Sequence, residues 1–283
     1  VAPGTQSILQ NIPILYPGRK VTILSPTYGE HQNTWAQTAT EINLVDNFDS
    51  LSQGQIAVVV NPNNPNGKFY GITKLLQLAK KLELLIIDEA FCDCTPDQSI
   101  IPYLQTDNIM VLRSLGKFFG LAGLRLGFAI GMTENIEHLK TRLGPWAVSG
   151  PAIEIGQRAL SDVSWITQMH ERLNFDSNRL SQILIQKNLH IIGSTKLFKL
   201  IENKYASNAV VFENKVYLVA GQTGSNAYSK KVFAADLPAP ARHLYFKEGN
   251  ATAEVATSPG LDGNVSITLN MLAPDALAKL DVN

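Results

Sequence analysis

The sequence has little of what distinguishes secreted, membrane-spanning or polyanion-binding proteins. It contains two cysteines among 283 residues, and its 24 Lys and Arg residues balance 24 Asp and Glu residues, so the formal net charge is zero. A neutral chain provides no field that attracts nucleic acid or an anionic membrane surface. No stretch approaches the ~18 consecutive apolar residues that a spanning helix requires. We therefore expect neither nucleic acid nor a membrane as a partner.

The two cysteines, Cys92 and Cys94, are separated by a single aspartate. Cysteines at this spacing rarely bridge each other, and the sequence has no second pair to complete a zinc site. We expect two reduced thiols and no metal site. The segment from Val1 to Gln6 lacks the basic and apolar regions of a secretion signal. Reduced thiols without such a signal predict a cytoplasmic protein.

Short apolar runs alternate with amphipathic segments over residues 1–190. The runs predict strands at Val21–Leu24, Ile56–Val60, Leu84–Asp88, Ile109–Arg113 and Leu126–Ile130. Several runs are apolar without alternation, as expected of strands that are covered on both faces. Between them, helical spacing of apolar residues predicts helices at Ile8–Leu15, Trp35–Ile42 and Thr73–Leu84. Strands that alternate with helices predict an α/β fold, with a mainly parallel sheet and helices on both faces.

The pattern changes near residue 190. Residues 1–190 are expected to form a large domain, and residues 191–283 a smaller, β-rich C-terminal region. The large domain is predicted to end in a long helix over Pro151–Lys187, interrupted at most once. The elements predicted after it are the strand pair Leu189–Gly193 and Lys196–Ile201, a hairpin over Ala209–Ala220, a strand at Val265–Leu269 and a helix at Ala273–Leu280.

Polar side chains occur where the predicted strands end. Asn64 follows the second strand, Asp88 ends the third, and Ser114 follows the fourth. The carboxyl ends of parallel strands meet at one edge of a sheet, and ligands of α/β proteins bind beyond that edge. The sequence therefore predicts one site that contains these three side chains.

A lone lysine, Lys117, lies near the same edge in a small and apolar segment, Ser114–Phe128. Its neighbours Leu115 and Phe118 would desolvate an ammonium and so favour the neutral, nucleophilic amine. Pyridoxal phosphate requires an amine that forms an imine, a carboxylate such as Asp88 that keeps the ring nitrogen protonated, and donors that hold a phosphate. The sequence therefore predicts this cofactor.

The Asp88-Glu89 pair has a second interpretation, the magnesium-binding pair at a strand end of an ATPase. Such proteins hold phosphate with a Gly-x-x-x-x-Gly-Lys-Ser/Thr loop, and this sequence contains none. The absence of the loop removes most of that alternative.

Other residues are candidates for binding the phosphate and the ring. Arg125 offers a bidentate guanidinium and Ser114 a hydroxyl. Tyr28 lies in a strand-end turn, from which its ring could stack on a flat ligand. Amides at the start of a predicted helix are a further kind of phosphate donor. These amides belong to Gly4, Thr5 and Gln6.

Four ordered motifs resemble those of a known family. They are Pro-Thr-Tyr-Gly-Glu-His from residue 26, Asn-Pro-Asn-Asn-Pro-Asn-Gly from 61, Asp-Glu-Ala-Phe from 88, and Arg-Ser-Leu-Gly-Lys-Phe-Phe-Gly-Leu-Ala-Gly-Leu-Arg-Leu-Gly-Phe from 113. Through them, residues 1–205 resemble the fold-type-I pyridoxal phosphate-dependent aminotransferases of class I and II. The branch that they resemble contains the histidinol-phosphate aminotransferases and the threonine-phosphate decarboxylase-like proteins of cobalamin biosynthesis.

The resemblance implies a role for each candidate. Lys117 would form the aldimine with pyridoxal phosphate and move a proton between the substrate Cα and the cofactor. Asp88 would pair with the ring nitrogen, and Asn64 with the phenolic oxygen. Tyr28 would stack on the ring, and the phosphate would be held by Ser114, Arg125 and the amides of Gly4 and Thr5. The resemblance also implies a homodimer that transaminates or decarboxylates a small amino acid or an amino-acid phosphate.

The sequence departs from the family pattern at several positions. Phe91 stands where many relatives have tyrosine, and Gly116 where serine is common. Arg242, the one arginine after Asn208, does not match the family's substrate-binding arginine. Relatives also carry residues before the position equivalent to Val1. An alternative is therefore a catalytically inactive cofactor-binding fragment or partner subunit, and a third interpretation is an α/β protein without a cofactor.

Overall fold

The structure is a computed structural model. It describes residues 1–104, 108–187, 189–202, 208–212, 215–219, 232–236, 244–245 and 281–282, with side chains up to residue 202. Arg242, the predicted strand Val265–Leu269 and the predicted helix Ala273–Leu280 lie outside the described residues.

The described elements are helices and strands that alternate over most of the chain. The helices are α1 (Thr5–Leu15), α2 (Glu30–Trp35), α3 (Ile72–Ala79), α4 (Thr133–Leu143), α5 (Gly150–Ser161) and α6 (Val163–Gln186). The strands of the first part are β1 (Lys20–Leu24), β2 (Glu41–Val45), β3 (Ile56–Val60), β4 (Leu84–Asp88), β5 (Ile109–Ser114) and β6 (Gly127–Ile130). The later strands are β7 (Ile191–Ser194), β8 (Lys199–Ile201), β9 (Asn208–Phe212), β10 (Lys215–Val219), β11 (Val232–Asp236), β12 (Leu244–Tyr245) and β13 (Asp281–Val282).

The first six strands form one sheet, in the order β2-β1-β3-β4-β5-β6. Strands β1 to β5 pair in parallel, and β6 pairs antiparallel to β5. The predicted mainly parallel sheet is confirmed. Each of the five strands that the apolar runs predict is present, to within one residue at either end.

Burial on both faces explains the continuous apolar runs of the central strands. Every residue of β3 and β4 is buried. Successive side chains of a strand point to opposite faces, so Val59 and Ile87 belong to one apolar cluster, and Val58 and Ile86 to another. Full burial of one such side chain contributes about 1.5–3 kcal/mol relative to exposure. These runs therefore determine which segments become central strands.

Helices cover both faces of the sheet, as predicted. On one face, α1 contributes Ile8 and Ile12 to the apolar cluster, and α4 contributes Leu139. On the other face, α3 contributes Leu75 and Leu78. The apolar side of each helix is thus matched to one face of the sheet.

The predicted helix over Trp35–Ile42 is wrong. Helix α2 ends at Trp35, and strand β2 begins at Glu41. Strand β2 lies at the edge of the sheet, where its residues are partly exposed. Because it is not covered on both faces, it lacks the continuous apolar run that indicates a central strand.

The long helix predicted over Pro151–Lys187 is present as α5 and α6, with Asp162 between them. The prediction of at most one interruption is confirmed. Ser149 caps α5, since its Oγ accepts a hydrogen bond from Ala152 N at 3.3 Å, and Pro151 lies in the first turn.

The chain divides into two compact units. The first contains Val1–Phe175 and Thr195–Leu197, and the second contains Asp176–Ser194 and the described residues from Phe198 onward. The domain boundary expected at residue 190 stays a prediction.

In the second unit, β7 and β8 form an antiparallel pair, which confirms the predicted strand pair. Lys199 in β8 is buried, and its Nζ donates to Ser177 Oγ and to Ser194 Oγ at 2.7 Å each. Burial lowers the pKa of Lys199. The hydroxyl contacts provide the hydrogen bonds that a buried ammonium needs.

The later strands are also antiparallel. Strands β9, β10 and β11 form one sheet, and β12 pairs with β13. The two strands of the predicted hairpin Ala209–Ala220 are confirmed as β9 and β10, and the turn between them lies outside the described residues.

Over the ranges that the structure describes, no helix combines the length and the apolar character that crossing a membrane requires.

Candidate functional site

The order of the strands creates a crevice at the carboxyl edge of the sheet. Strand β1 lies between β2 and β3, so the chain leaves β1 toward one side of the sheet and β3 toward the other. Ligands of open α/β sheets bind at such a point. The Tyr28 turn (residues 25–29) follows β1, the Asn64 turn (residues 61–67) follows β3, and Asp88 ends β4.

A cavity of about 150 Å³ opens beside this crevice. Its lining combines small residues with cationic and hydroxyl-bearing side chains. Seven of the nine predicted site residues line it: Gly4, Thr5, Gln6, Tyr28, Ser114, Lys117 and Arg125. Asp88 and Asn64 are not part of the lining.

The first residues of the chain reach the cavity because they pair with β6. Ala2 N donates to Gly127 O at 2.9 Å, and Gly127 N donates to Ala2 O at 3.0 Å. A Cβ atom at Gly127 would lie 2.5 Å from Thr5 N, a distance that no side chain tolerates. Glycine at position 127 therefore allows the start of α1 to lie against the sheet.

Glycine at position 4 makes room for the arginine of the site. Gly4 has φ 79°, and a Cβ atom there would lie 2.5 Å from Arg125 Nη2. Arg125 itself has a left-handed backbone with φ 52°. Such strain in a residue other than glycine concentrates at functional sites. The guanidinium of Arg125 is thus packed against the N-terminus of α1.

Lys117 is exposed and lines the cavity. The expectation that its neighbours desolvate it is wrong, because Leu115 and Phe118 are buried in an apolar cluster while Lys117 is exposed to solvent. The apolar group near the ammonium is Phe91, whose ring centroid lies 5.3 Å from Lys117 Nζ. A cation at this distance from an aromatic face is attracted to it.

Gly116 packs closely in the same segment. Its N–H donates to Ser114 Oγ at 3.1 Å, and a Cβ atom would lie 3.2 Å from Ala122 Cα. A larger residue at position 116 would therefore require a small shift of its neighbours.

The groups around the cavity are those that bind an oxyanion. The first turn of α1 contains no acidic residue. Its amides, the hydroxyl of Ser114 and the cations of Lys117 and Arg125 provide donors and positive charge. A phosphate monoester fits this set. The volume is below the ~300 Å³ of a complete small-molecule pocket, so these residues would enclose only part of a larger ligand.

The side chain of Gln6, another lining residue, bonds to a neighbouring carboxylate. Its Nε2 donates to Glu30 Oε2 at 2.5 Å. What Gln6 offers to a ligand is therefore the main-chain amide at the start of α1.

Asp88 is a buried carboxylate with a fixed orientation. It is 5% exposed; its Oδ1 accepts a hydrogen bond from Ala90 N, and its Oδ2 lies 3.0 Å from His31 Nε2. His31 is 1% exposed. Sequence reasoning did not assign a role to His31, although it ends the Pro-Thr-Tyr-Gly-Glu-His motif, because its partner Asp88 is 57 positions away.

Tyr28 lines the cavity and is 41% exposed. Its ring meets the ring of His31 edge-on, with the centroids 6.0 Å apart. Burial raises the pKa of Tyr28, and the negative charges of Glu30 and Asp88 raise it further, while Arg125 lowers it. The phenol therefore stays protonated at neutral pH.

Asn64 lies in a turn that is held in place by the hydrogen bonds of two other asparagines, Asn61 and Asn63. Asn61 Nδ2 donates to Tyr70 O at 3.1 Å, and its Oδ1 accepts from Tyr70 N at 2.8 Å. Asn63 is 6% exposed and bonds to the Tyr28 turn. These contacts fix the loop that carries Asn64 at the crevice.

A second buried carboxylate, Glu89, lies just beyond β4. It accepts hydrogen bonds from Ser99 Oγ at 2.7 Å and from Ile100 N at 2.8 Å. Arg113 Nη1 lies 3.4 Å from Glu89, and Arg113 Nη2 lies 3.1 Å from Asp93. Burial raises the pKa of Glu89, although these hydrogen bonds and Arg113 act in the opposite direction.

We expect Glu89 to reduce the free energy of unfolding as the pH rises above about 4.3, the ordinary pKa of a glutamate. The folded protein binds this proton more tightly than the unfolded chain, so the stabilisation is complete below that pH and is lost through the raised pKa. The Glu89→Gln variant should not show this decrease in the free energy of unfolding. Urea unfolding over a pH series measures it, with Glu137→Gln at an exposed pair as control. Equal slopes for Glu89→Gln and the wild type would contradict the prediction.

Both cysteines are free, and burial raises the pKa of Cys92 and of Cys94 to about 12. We expect both to resist alkylation at pH 8 in the folded protein. The thiolate is the reactive form, and its fraction is about a thousandfold smaller than that of a free thiol with a pKa of about 8.5. Labelling with iodoacetamide, followed by mass spectrometry, measures this. Both thiols should react in urea, and rapid labelling without urea would contradict the prediction.

Comparison with known proteins finds one family model and several relatives that match the sequence. Residues 1–225 match the family model described as aminotransferase class I and II. The chain is 38% identical over 203 residues to the threonine-phosphate decarboxylase of Pseudomonas aeruginosa, covering 69% of this chain and 61% of that protein. It is 31% identical over 202 residues to the histidinol-phosphate aminotransferase of Vibrio parahaemolyticus, covering 70% and 57%. The chain thus spans about 60% of the length of these relatives.

The fold is similar to solved structures of the same two kinds of protein. The L-threonine-O-3-phosphate decarboxylase of Porphyromonas gingivalis has a TM-score of 0.63 at 18% identity, over 72% of this chain and 70% of that one. The histidinol-phosphate aminotransferase of Sinorhizobium meliloti, solved with pyridoxal-5'-phosphate, has a TM-score of 0.60 at 18% identity, over 77% and 60%. At this identity the likeness concerns the fold, and it confirms the predicted α/β architecture.

Proposed function

Because this chain belongs to the class I and II aminotransferase family, we propose that it is a pyridoxal phosphate-dependent enzyme acting on a small amino acid or an amino-acid phosphate. The observation that carries the proposal is the cavity in which an amine and phosphate donors converge. Lys117 supplies the amine, and Ser114, Arg125 and the start of α1 supply the donors.

When bound, pyridoxal phosphate supplies an aldehyde that takes up the substrate amine, and a conjugated ring that accepts the electron pair of a broken bond at the substrate Cα. Lys117 Nζ attaches the cofactor to the chain and, once free, moves a proton at the substrate Cα. Asp88 holds a proton on the ring nitrogen, because a buried carboxylate stabilises a positive charge beside it. His31, 3.0 Å from Asp88, fixes the orientation of that carboxylate.

The remaining residues bind and orient the cofactor. The phosphate is held by Ser114, Arg125 and the amides of α1 that begin at Thr5. Tyr28 stacks on the ring, and Asn64 donates a hydrogen bond to the phenolic oxygen. The proximity of these turns at one edge of the sheet supports both assignments.

The relatives' names support two reactions. One relative is named a decarboxylase and the other an aminotransferase, and both names refer to a phosphorylated substrate. The residues that bind the substrate would decide between the reactions, because they would orient the bonds at its Cα relative to the cofactor. For the decarboxylase alternative, we propose a role in cobalamin biosynthesis.

The proposal extends to the assembly and the compartment. We expect a homodimer, as in the family that the sequence resembles, and light scattering of the purified chain measures this directly. Free buried thiols support a cytoplasmic enzyme.

Titration of the purified chain with pyridoxal phosphate, followed by visible absorption, tests the proposal. We expect a new absorption band that saturates, and a shift of that band on adding L-threonine O-phosphate or L-histidinol phosphate. Release of carbon dioxide identifies decarboxylation, and consumption of 2-oxoglutarate with histidinol phosphate identifies transamination. A band that no amine substrate shifts would favour the inactive cofactor-binding alternative. The absence of any band would contradict the proposal.

A further inference from the structure

The Tyr28 turn and the Asn64 turn meet at the crevice between β1 and β3. In the proposed function each turn presents one side chain to the cofactor ring. We infer that Asn63 is a positioning residue that fixes Tyr28 against the ring, an inference that rests on the proposed function.

The side-chain amide of Asn63 contacts the Tyr28 turn through both of its polar atoms. Its Oδ1 accepts a hydrogen bond from Thr27 Oγ1 at 2.7 Å, and its Nδ2 donates to Pro26 O at 2.9 Å. Nδ2 also donates to Asn66 Oδ1 at 2.9 Å. A primary amide has two N–H donors and one carbonyl oxygen, so Asn63 uses every polar group of its side chain.

The Asn64 turn is itself fixed by hydrogen bonds. Asn63 N donates to Lys68 O at 2.9 Å, and Gly67 N donates to Asn63 O at 2.7 Å. Lys68 N donates to Asn66 Oδ1 at 2.9 Å. The amide of Asn63 therefore attaches the Tyr28 turn to a rigid neighbour.

Burial makes the attachment of the two turns specific. Asn63 is 6% exposed, so water does not replace its partners at low cost. A buried polar group left without a partner is destabilising. Conformations of the Tyr28 turn in which these hydrogen bonds are broken are therefore disfavoured.

The exposed ring of Tyr28 needs such an attachment. The residue is 41% exposed, so core packing does not fix its position. If the ring became ordered only when the ligand binds, the entropic cost of ordering it would reduce the free energy gained from stacking. Thr27 directly precedes Tyr28, so the bond from Thr27 to Asn63 restrains the backbone beside the ring.

A double-mutant cycle on the dissociation constant for pyridoxal phosphate tests the inference. Thr27→Val keeps the side-chain shape and removes the hydroxyl donor, whereas Asn63→Ala risks misfolding. We expect Thr27→Val to raise the dissociation constant about two- to tenfold, as expected for one lost hydrogen bond. Thr27→Ser, which keeps the hydroxyl, should restore wild-type affinity. In a Tyr28→Ala background, Thr27→Val should have no further effect.

The control is Thr40→Val, which removes an exposed hydroxyl bonded to Gly18 O at 3.4 Å and should leave the affinity unchanged. Urea unfolding establishes that each variant is folded. If the effects of Thr27→Val and Tyr28→Ala multiply, or if Thr27→Val has none, the inference is overturned while the proposed function stands. Failure of the unmodified chain to bind pyridoxal phosphate would overturn both.

Discussion

Substitution of Lys117 with alanine is expected to abolish the covalent attachment of pyridoxal phosphate to the chain. Among the residues that line the cavity, Lys117 supplies the primary amine, and the loss should therefore be complete. The fold should survive, because Lys117 is exposed and its apolar neighbours keep their own cluster. Reduction with borohydride, digestion and mass spectrometry would show the modified peptide in the wild type and not in the variant.

Two lysines serve as comparisons for this experiment. Lys68→Ala changes an exposed lysine directly after the Asn64 turn and should leave the modification in place. Lys199 is a second lysine for the peptide analysis to examine, because it is buried and burial lowers its pKa. Modification of Lys199 in the wild type, or persistence of the visible band in Lys117→Ala, would refute the assignment.

Asp88→Asn is expected to lower turnover by about 10²–10³-fold, the usual effect of removing one preorganised charged or hydrogen-bonding group from an active site. The amide is isosteric and can still accept a hydrogen bond from Ala90 N, so the fold should be retained. It carries no negative charge, however, and does not hold a proton on the ring nitrogen. The cofactor should still attach to Lys117, which separates this effect from a loss of binding.

Turnover of the preferred substrate, measured with saturating pyridoxal phosphate, gives the size of the effect. Asp49→Asn makes the same chemical change at a carboxylate whose side chain is 80% exposed, and it should leave turnover unchanged. Wild-type turnover in Asp88→Asn would remove the role proposed for this carboxylate. A large fall in affinity for the cofactor would instead assign Asp88 to binding.

The parts of the fold that the sequence predicts are those with strong local patterns. The continuous apolar runs at β3 and β4 identify central strands because only strands covered on both faces have such runs. Strand β2 has no such run, since an edge strand is partly exposed, so no strand is predicted there, and the helix predicted over Trp35–Ile42 overlaps its first two residues. The burial that distinguishes the two cases is set by neighbours distant in sequence.

The same distinction between local patterns and distant neighbours applies to the residues of the site. Lys117, Arg125 and Tyr28 were predicted because each belongs to a motif with its own residue pattern, and they line one cavity. The partner of Asp88, His31, is 57 positions away, and Asn63 is 36 positions from Thr27. Such hydrogen bonds leave no local pattern, because they depend on which strands become neighbours. The exposure of Lys117 was wrongly predicted for a related reason, since adjacent residues in an irregular segment can face opposite sides.

The pairing of Ala2 with Gly127 has a consequence for the order in which the protein assembles. In sequence, Ala2 precedes β1 and Gly127 begins β6, so their contact closes a loop that contains strands β1 to β5. Closing so long a loop has an entropic cost that local contacts do not offset. We therefore expect the segment around Ala2 to dock after β6 has joined β5. We therefore expect the phosphate-binding end of the cavity to be completed late in folding and to open more readily than the centre of the sheet. A bound phosphate bridges the two ends of the loop, and it should slow hydrogen exchange at the Gly127 amide far more than at the amides of β3.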